Sequence, residues 1–249
     1  MQGKTSIRDE EFVAKFRKAL FSDLRVYDLE HIGFGGLPTF SYIERPSLRV
    51  KWIIDDDQDR RRLQKLRNRS FAIDWIESLE NDRNFEFLGG LLMRKLGASR
   101  VHITPPGNEF GIDFLAIVPA FSKSKLFISG GRGVRIVGQS KYYKSAVARE
   151  KIQSFNDCMT SIRNNREELT RIIPAWFRNC SAPLMGCFVA HSGYQQGARV
   201  NAEQNGHILL DTRAASEILI SIERMDHVKD NADLSRQLWH ELRAIEKNA

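Results

Sequence analysis

Asp113, Gln139 and Lys141 are the residues of this chain whose types and spacing could do chemistry. Asp113 closes Gly111-Ile112-Asp113, which follows the turn PPGNEF, and Gln139-Ser140-Lys141 ends the apolar run VRIVG. Side chains two apart on a strand share a face, so Gln139 and Lys141 emerge side by side while Ser140 points away. With Asp113 on a neighbouring strand, a carboxylate, an amide and an amine share one sheet surface. Hydrolysis of a phosphodiester calls for that set. It needs a water activated at neutral pH, a cation against the developing negative charge, and donors fixed around the phosphate. Mg²⁺ prefers oxygen ligands and uses one or two carboxylates with water and phosphate oxygens. Asp113 supplies the carboxylate, Gln139 its side-chain carbonyl and Ser140 its main-chain carbonyl, with Mn²⁺ able to substitute for Mg²⁺. Lys141 would orient the attacking water and stabilise the charged transition state. Glu86, from the preceding helix, could complete the metal shell directly or through water, although the helix dipole alone also favours a Glu near a helix start.

Around this set lie residues with two readings each. Tyr142, Tyr143 and Lys144 follow directly and could contact a nucleic-acid backbone, but aromatics at a strand end also serve as packing. Arg60, Arg61, Arg62, Lys65, Arg67 and Arg69 form the densest basic run of the chain. They could lie along phosphates, or form a solvated, salt-bridged helix face. Glu109 reads as a second metal ligand or a turn acid. His191, beside Ser192, reads as a phosphate contact or a structural histidine. Ser140 and Cys187 have no nucleophile motif around them.

These residues need a scaffold. Residues 9–24 place Phe12, Phe16, Leu20 and Leu24 at helical spacing, and the Gly/Pro/aromatic stretch that follows predicts loops with one strand or small hairpin, LRVKWII being the strand. From Asp55 three acids precede the basic run, as suits a helix start. Two further stripes, Phe71/Trp75/Leu79 and Phe85/Leu88/Leu92/Leu96, are separated by a break at Asn81 to Asn84, and Gly97 sits at a C-cap position. Beyond it, RVHIT, FGIDFLAIV, VRIVGQSK, PLMGCFVAHS and HILLDT read as strands alternating with helices. A mixed or largely parallel sheet covered on both faces follows. The chain closes on a helix with the stripe Leu234, Leu238, Leu242 and Ile245.

The 249 residues include 38 Lys+Arg against 31 Asp+Glu, a net +7 that favours a polyanionic partner such as nucleic acid. Three cysteines without CxxC spacing argue against a disulfide framework or a zinc site and for a reducing compartment. No apolar run approaches a bilayer span and the start lacks a signal-peptide core, so a cytoplasmic protein with no membrane partner is expected.

The order helix-Glu86, then Gly111-Ile112-Asp113 after a Gly-containing turn, then Gln139-Ser140-Lys141 with its aromatic-basic tail resembles the Mrr-type restriction endonuclease domain. That domain is a branch of the PD-(D/E)xK nuclease superfamily in which Gln stands where most members carry Asp or Glu. The later GCFVAHSGY and QQGARVNAEQNGHILLDTRAASEIL resemble the branch's later strand, helix, strand and helix, so the likeness covers about residues 80 to 222. Asn108 and Glu109 depart from a more usual Asp-Gly pair, and residues 118–135 make a longer connection. The resemblance implies an α/β fold of restriction-endonuclease type, three-layer α/β/α around a central mixed sheet, preceded by a mostly helical N-terminal region. It implies Mg²⁺-dependent cleavage of DNA, often in restricting foreign or modified DNA, with a homodimer or a regulatory or sensor protein of a defence system as further partners. Other classes remain open: a catalytically silent nucleic-acid-binding scaffold, or a nuclease of this fold acting on RNA or branched DNA. The expected division is 1–75 for recognition or regulation, 76–225 for the nuclease domain and 226–249 for the terminal helix.

Overall fold

The computed structural model describes residues 7–33, 39–43, 49–52, 57–107, 110–119, 133–221, 228 and 230–247. The chain divides into two compact units, 1–63 and 64–249. The division by role expected after residue 75 is drawn on other grounds and remains a proposal.

In the first unit, α1 spans Ile7–Gly33, and β1 (Phe40–Ile43) pairs antiparallel with β2 (Arg49–Trp52). The helix runs nine residues beyond the predicted Leu24 because no Gly or Pro interrupts it before Gly33. Its predicted stripe is not buried: Phe12, Phe16 and Leu20 are exposed. Among its described residues, the buried ones are polar, Asp28 and Thr39. Asp28 accepts hydrogen bonds from the amides of Thr39 (2.9 Å) and Phe40 (3.1 Å) and from the Tyr42 hydroxyl (3.0 Å), fixing the start of β1 against α1. Burial and the neighbouring Asp28 carboxylate push the Tyr42 hydroxyl up to about 12.

α2 (Asp57–Glu77) crosses into the second unit. There α3 (Asp82–Lys95) is followed by β3 (Arg100–Ile103), β4 (Phe114–Pro119), β5 (Gly133–Lys141) and α4 (Arg149–Arg163). After a 3-10 turn at Glu167–Arg171 come α5 (Ala175–Arg178), β6 (Leu184–Ala190), α6 (Gln196–Gln204), β7 (Ile208–Asp211), α7 (Thr212–Ile220) and α8 (Asn231–Glu246). Asn81 is the N-cap of α3, its side chain accepting the Asn84 amide, so the predicted break is a capping motif. Gly97 follows the C-cap at φ +82°, where a side chain would be strained. The run from Val147 to Ile173, whose sequence reads as one or two helices, forms α4 and the short 3-10 turn.

The five strands lie in the order β3-β4-β5-β6-β7. The first two pairings are antiparallel and the last two parallel, so the sheet is mixed. The parallel pairs are linked through α4 and α6, as parallel strands require long crossovers. Each face has its own core. Phe114, Ala116, Val134, Ile136, Cys187, Val189 and Leu210 pack with α2, α3, α7 and α8, whereas Leu115, Val137, Phe188 and Ala190 pack with α4, α5 and α6. The architecture is three-layer α/β/α. The stripe Leu234, Leu238, Leu242 and Ile245 of α8 is buried in the first of these cores, where Trp239 meets Trp75 edge-on at 5.8 Å.

α3 lies unusually close to the sheet. Gly89 and Gly138 leave the slot occupied by the Phe114 ring, and a Cβ on Gly90 would stand 2.5 Å from Ile103 Cδ1. Lys95 at the end of α3 reaches Glu241 Oε1 on α8 at 2.8 Å. A Cβ on Gly138 would fall inside the Phe114 ring, so Gly138→Ala should destabilise the fold by about 1–3 kcal/mol, as overpacking does. Urea unfolding checks this; an unchanged midpoint would contradict the slot.

Candidate active site

β5 delivers Gln139 and Lys141 at its C-terminal end. Along it Val134 and Ile136 face the α3 side while Val137 faces the α4 side. The two-residue repeat therefore sends Gln139 and Lys141 toward α4 and turns Ser140 toward α3. Asp113 precedes β4 and, two residues before Leu115, shares that α4-side face. The ladder continues past the strand: the Asp113 amide donates to the Gly138 carbonyl at 2.9 Å, and the Asp113 carbonyl accepts from the Thr104 amide at 3.0 Å. Thr104 Oγ1 also donates to the Ile112 carbonyl. Gly111, at φ +66°, lets the chain enter this bend; a Cβ there would stand 2.7 Å from Gln139 Nε2.

Asp113 is buried, 7 % exposed. Its Oδ2 accepts the Ser140 amide at 2.7 Å and lies 3.8 Å from Lys141 Nζ. Oδ1 takes no hydrogen bond from any described residue. Burial raises its pKa to about 6; Lys141 and the Ser140 amide oppose that shift, and the carboxylates of Glu86 and Asp82 reinforce it. The rise is therefore set by burial, which the amine and the amide offset only in part.

Glu86 is close enough to act on Asp113 electrostatically, but its direct partner is Arg83, which also donates to the Thr104 carbonyl at 2.9 Å and lies over Phe87 at 4.6 Å. Arg83 thus ties the start of α3 to the bend that carries Asp113. Its position three residues before Glu86 is the only sequence signal it leaves.

A divalent cation fits these donors. In an extended strand a residue's N–H and C=O leave on the same side, so the Ser140 carbonyl lies along the edge that its amide shares with Asp113. Asp113 Oδ1, the Gln139 amide oxygen and the Ser140 carbonyl are all hard oxygen donors. Among the described residues no three His, Cys, Asp or Glu side chains gather as a metal cage. The donor set is thus one carboxylate with neutral oxygens, and Glu86 at its margin.

The other sequence candidates are more dispersed. Tyr142 is half-buried against Phe85 (ring centroids 5.7 Å apart) and His191 (4.5 Å), and Tyr143 packs against the α4-side core, while Lys144 is exposed. His191 is held at the end of β6, with Nε2 2.6 Å from Glu77 Oε2 and Nδ1 3.1 Å from Ser192 Oγ. Its main-chain amide donates to the Lys141 carbonyl at 3.1 Å, so this well-bonded histidine anchors the strand end behind Lys141. In the basic run, Arg69 pairs with Glu217 at 2.7 Å, Lys65 lies 3.8 Å from the same carboxylate, and Arg67 donates to the Val228 carbonyl at 3.0 Å. Arg61 is exposed; the side chains of Arg60 and Arg62, and residues Asn108 and Glu109, lie outside the described ones.

With the metal chelated, a carboxylate raised from 3.8 to about 6 opposes folding by roughly 3 kcal/mol above pH 6. The folded state binds the proton more tightly than the unfolded one, so this cost is absent below pH 3.8 and develops as pH rises to 6. Asp113→Asn in chelator should therefore raise Tm at pH 8, with the advantage shrinking toward pH 4; a lower Tm for the variant at pH 8 would contradict it.

Residues 78–173 match the Mrr_cat family model, described as restriction endonuclease. No curated protein matches the chain. Two solved structures are similar to it. One is the MspJI restriction endonuclease in complex with a 27-mer oligonucleotide, at 15% identity and TM-score 0.43, covering 80% of this chain and 41% of that one. The other is the DNA modification-dependent restriction endonuclease AspBHI, at 17% identity and TM-score 0.44, covering 88% of this chain and 48% of that one. The chain spans less than half the length of either. The stretch that matches the restriction endonuclease family model, residues 78–173, is the one that carries Glu86, Asp113, Gln139 and Lys141.

Proposed function

We propose that the chain is a Mg²⁺-dependent endonuclease that hydrolyses DNA phosphodiester bonds in restriction or anti-phage defence. The observation that carries this reading is the buried Asp113 carboxylate, bonded at Oδ2 to the Ser140 amide and facing the Lys141 amine at 3.8 Å. Asp113, the Gln139 side-chain oxygen and the Ser140 carbonyl would hold the cation, with Glu86 contributing directly or through water. A cation held by these residues would supply charge against the scissile phosphate and a water that is a better nucleophile.

The chain's own residues do the rest. The Ser140 amide fixes Asp113 so that Oδ1 stays available as a ligand. Lys141 presents three N–H donors on a flexible stem. It orients the attacking water and donates to the non-bridging phosphate oxygens as their charge grows, which is worth most where the donor is fixed before reaction. Exposed Arg61 and Lys144 suit phosphate contacts, and the net charge of +7 favours a polyanion. Lys65, Arg67 and Arg69 already have partners within the protein, so their share in DNA binding would require exchanging them. Residues 1–75 would serve recognition or regulation. A homodimer would supply the two sites that double-strand cleavage needs, and a sensor protein of the same defence system would trigger it.

Purified full-length protein incubated with supercoiled plasmid, single-stranded DNA and RNA should nick or cut DNA with Mg²⁺ or Mn²⁺ and not with EDTA. Asp113→Ala and Lys141→Ala should each lower the rate by at least about 10²-fold, the scale seen when a fixed transition-state donor is removed. Cleavage that survives chelation or either substitution contradicts the mechanism. Binding without cleavage would instead indicate a scaffold, and cleavage confined to RNA would reassign the substrate.

A further inference from the structure

The opposite end of β5 carries a second arrangement that the nuclease chemistry does not use. Arg135 lies six residues before Lys141, on the order of 20 Å along an extended strand. It lines a cavity of about 380 Å³ together with Arg166, Arg178, Asn165 and Asn179, over a floor that includes Leu169 and Phe177. The cavity lies between the start of β5, the turn after α4, and α5.

Arg135 is locked in place. Its Nε donates to the Ala182 carbonyl at 2.9 Å and Nη1 to the Phe177 carbonyl at 3.2 Å, and the guanidinium lies 5.6 Å from the Phe177 ring centroid. Arg178 is held by one bond, Nε to the Ile173 carbonyl at 3.0 Å, and Arg166 is exposed. No salt bridge joins any of the three to a described carboxylate. As a strut between strand and helix, Arg135 alone would suffice. Arg178, like Arg166, is exposed, so both guanidinium groups are accessible from solvent at the cavity that Arg135 lines, and like charges around one cavity favour an anion between them. Arg also presents its donors in a planar fork that matches phosphate oxygens, and the two Asn amides add neutral donors beside it. The volume falls in the range of small-ligand sites.

The geometry points to a second ligand site in this cavity, remote from the catalytic residues, that binds a small phosphate dianion, free or as a monoester, through Arg135, Arg166 and Arg178. The phosphate could be free or carried by a nucleotide or a sugar phosphate; all three present the same dianion. A ligand here would not compete with DNA at Asp113, because the two sites lie at opposite ends of the strand.

Calorimetric titration of the full-length protein, metal-free, with inorganic phosphate, AMP and ribose 5-phosphate tests the assignment, with adenosine as the uncharged control. At least one phosphate probe should bind with Kd below 1 mM while adenosine does not bind, and the rank among the three identifies the source. Arg166→Glu, at an exposed position where folding should be unaffected, should weaken binding at least tenfold with no change in Tm. Asp113→Ala should leave it intact. Binding that is indifferent to Arg166→Glu, or lost in Asp113→Ala, overturns the assignment, as does the absence of binding by all three phosphates. Duplex DNA binding weakened by Arg166→Glu, with no small phosphate bound, would overturn it in favour of a second DNA contact.

Discussion

The hydrogen bond from the Ser140 amide to Asp113 Oδ2, 2.7 Å long, joins the two strand ends proposed to carry the chemistry. It exists because the antiparallel β4–β5 ladder is in register up to Phe114 opposite Gly138, and because the Asp113 amide still reaches the Gly138 carbonyl one step beyond. A slip of one residue would turn Gln139 and Lys141 into the α3-side core and Ser140 toward α4. The register is held by apolar packing on both faces and by Phe114, seated between Gly89 of α3 and Gly138 of β5. The two glycines are thus part of the site's construction without touching a reacting atom. They set the distance between α3 and the sheet, and with it the place of Glu86.

The electrostatics run against stability. A carboxylate this buried, with Glu86 and Asp82 adding negative potential and one amine at 3.8 Å to oppose them, is held in a state that a purely structural residue would avoid. The surrounding structure compensates for this local cost. The compensation is visible in the dense bonding behind the site. Thr104, Arg83 and the Glu77–His191–Ser192 group immobilise the strand ends from the α2, α3 and β6 sides. A preorganised donor set of this kind is worth more in a partly dry pocket than in water.

Much of this was legible in the sequence, and for identifiable reasons. Gly111-Ile112-Asp113 and Gln139-Ser140-Lys141 are local patterns, and the strand repeat of two places their side chains without knowledge of the fold. Asn81 and Gly97 mark helix ends by their own hydrogen-bonding and backbone preferences. What could not be read depends on distant partners. Strand direction is one case in part: a mixed or largely parallel sheet is expected, but that β3-β4-β5 is its antiparallel half is set by the pairing itself. Arg83, Glu77 and the Asp28 cap act through residues brought near only by folding. The basic run was ambiguous because charge spacing does not reveal that Glu217 lies beside Lys65 and Arg69. The α1 stripe shows the converse, since helical spacing of Phe12, Phe16 and Leu20 does not ensure burial.

The central claim is that Asp113, Gln139 and the Ser140 carbonyl converge on one divalent cation beside Lys141. Anomalous diffraction from crystals of the full chain soaked in Mn²⁺ tests it most directly. The account predicts a peak within about 2.5 Å of Asp113 Oδ1, with the Gln139 side-chain oxygen or the Ser140 carbonyl also in its coordination shell. The peak should be absent from Asp113→Ala crystals soaked in the same way. A Mn²⁺ peak elsewhere, or none at Asp113 in the unmodified protein, would contradict it.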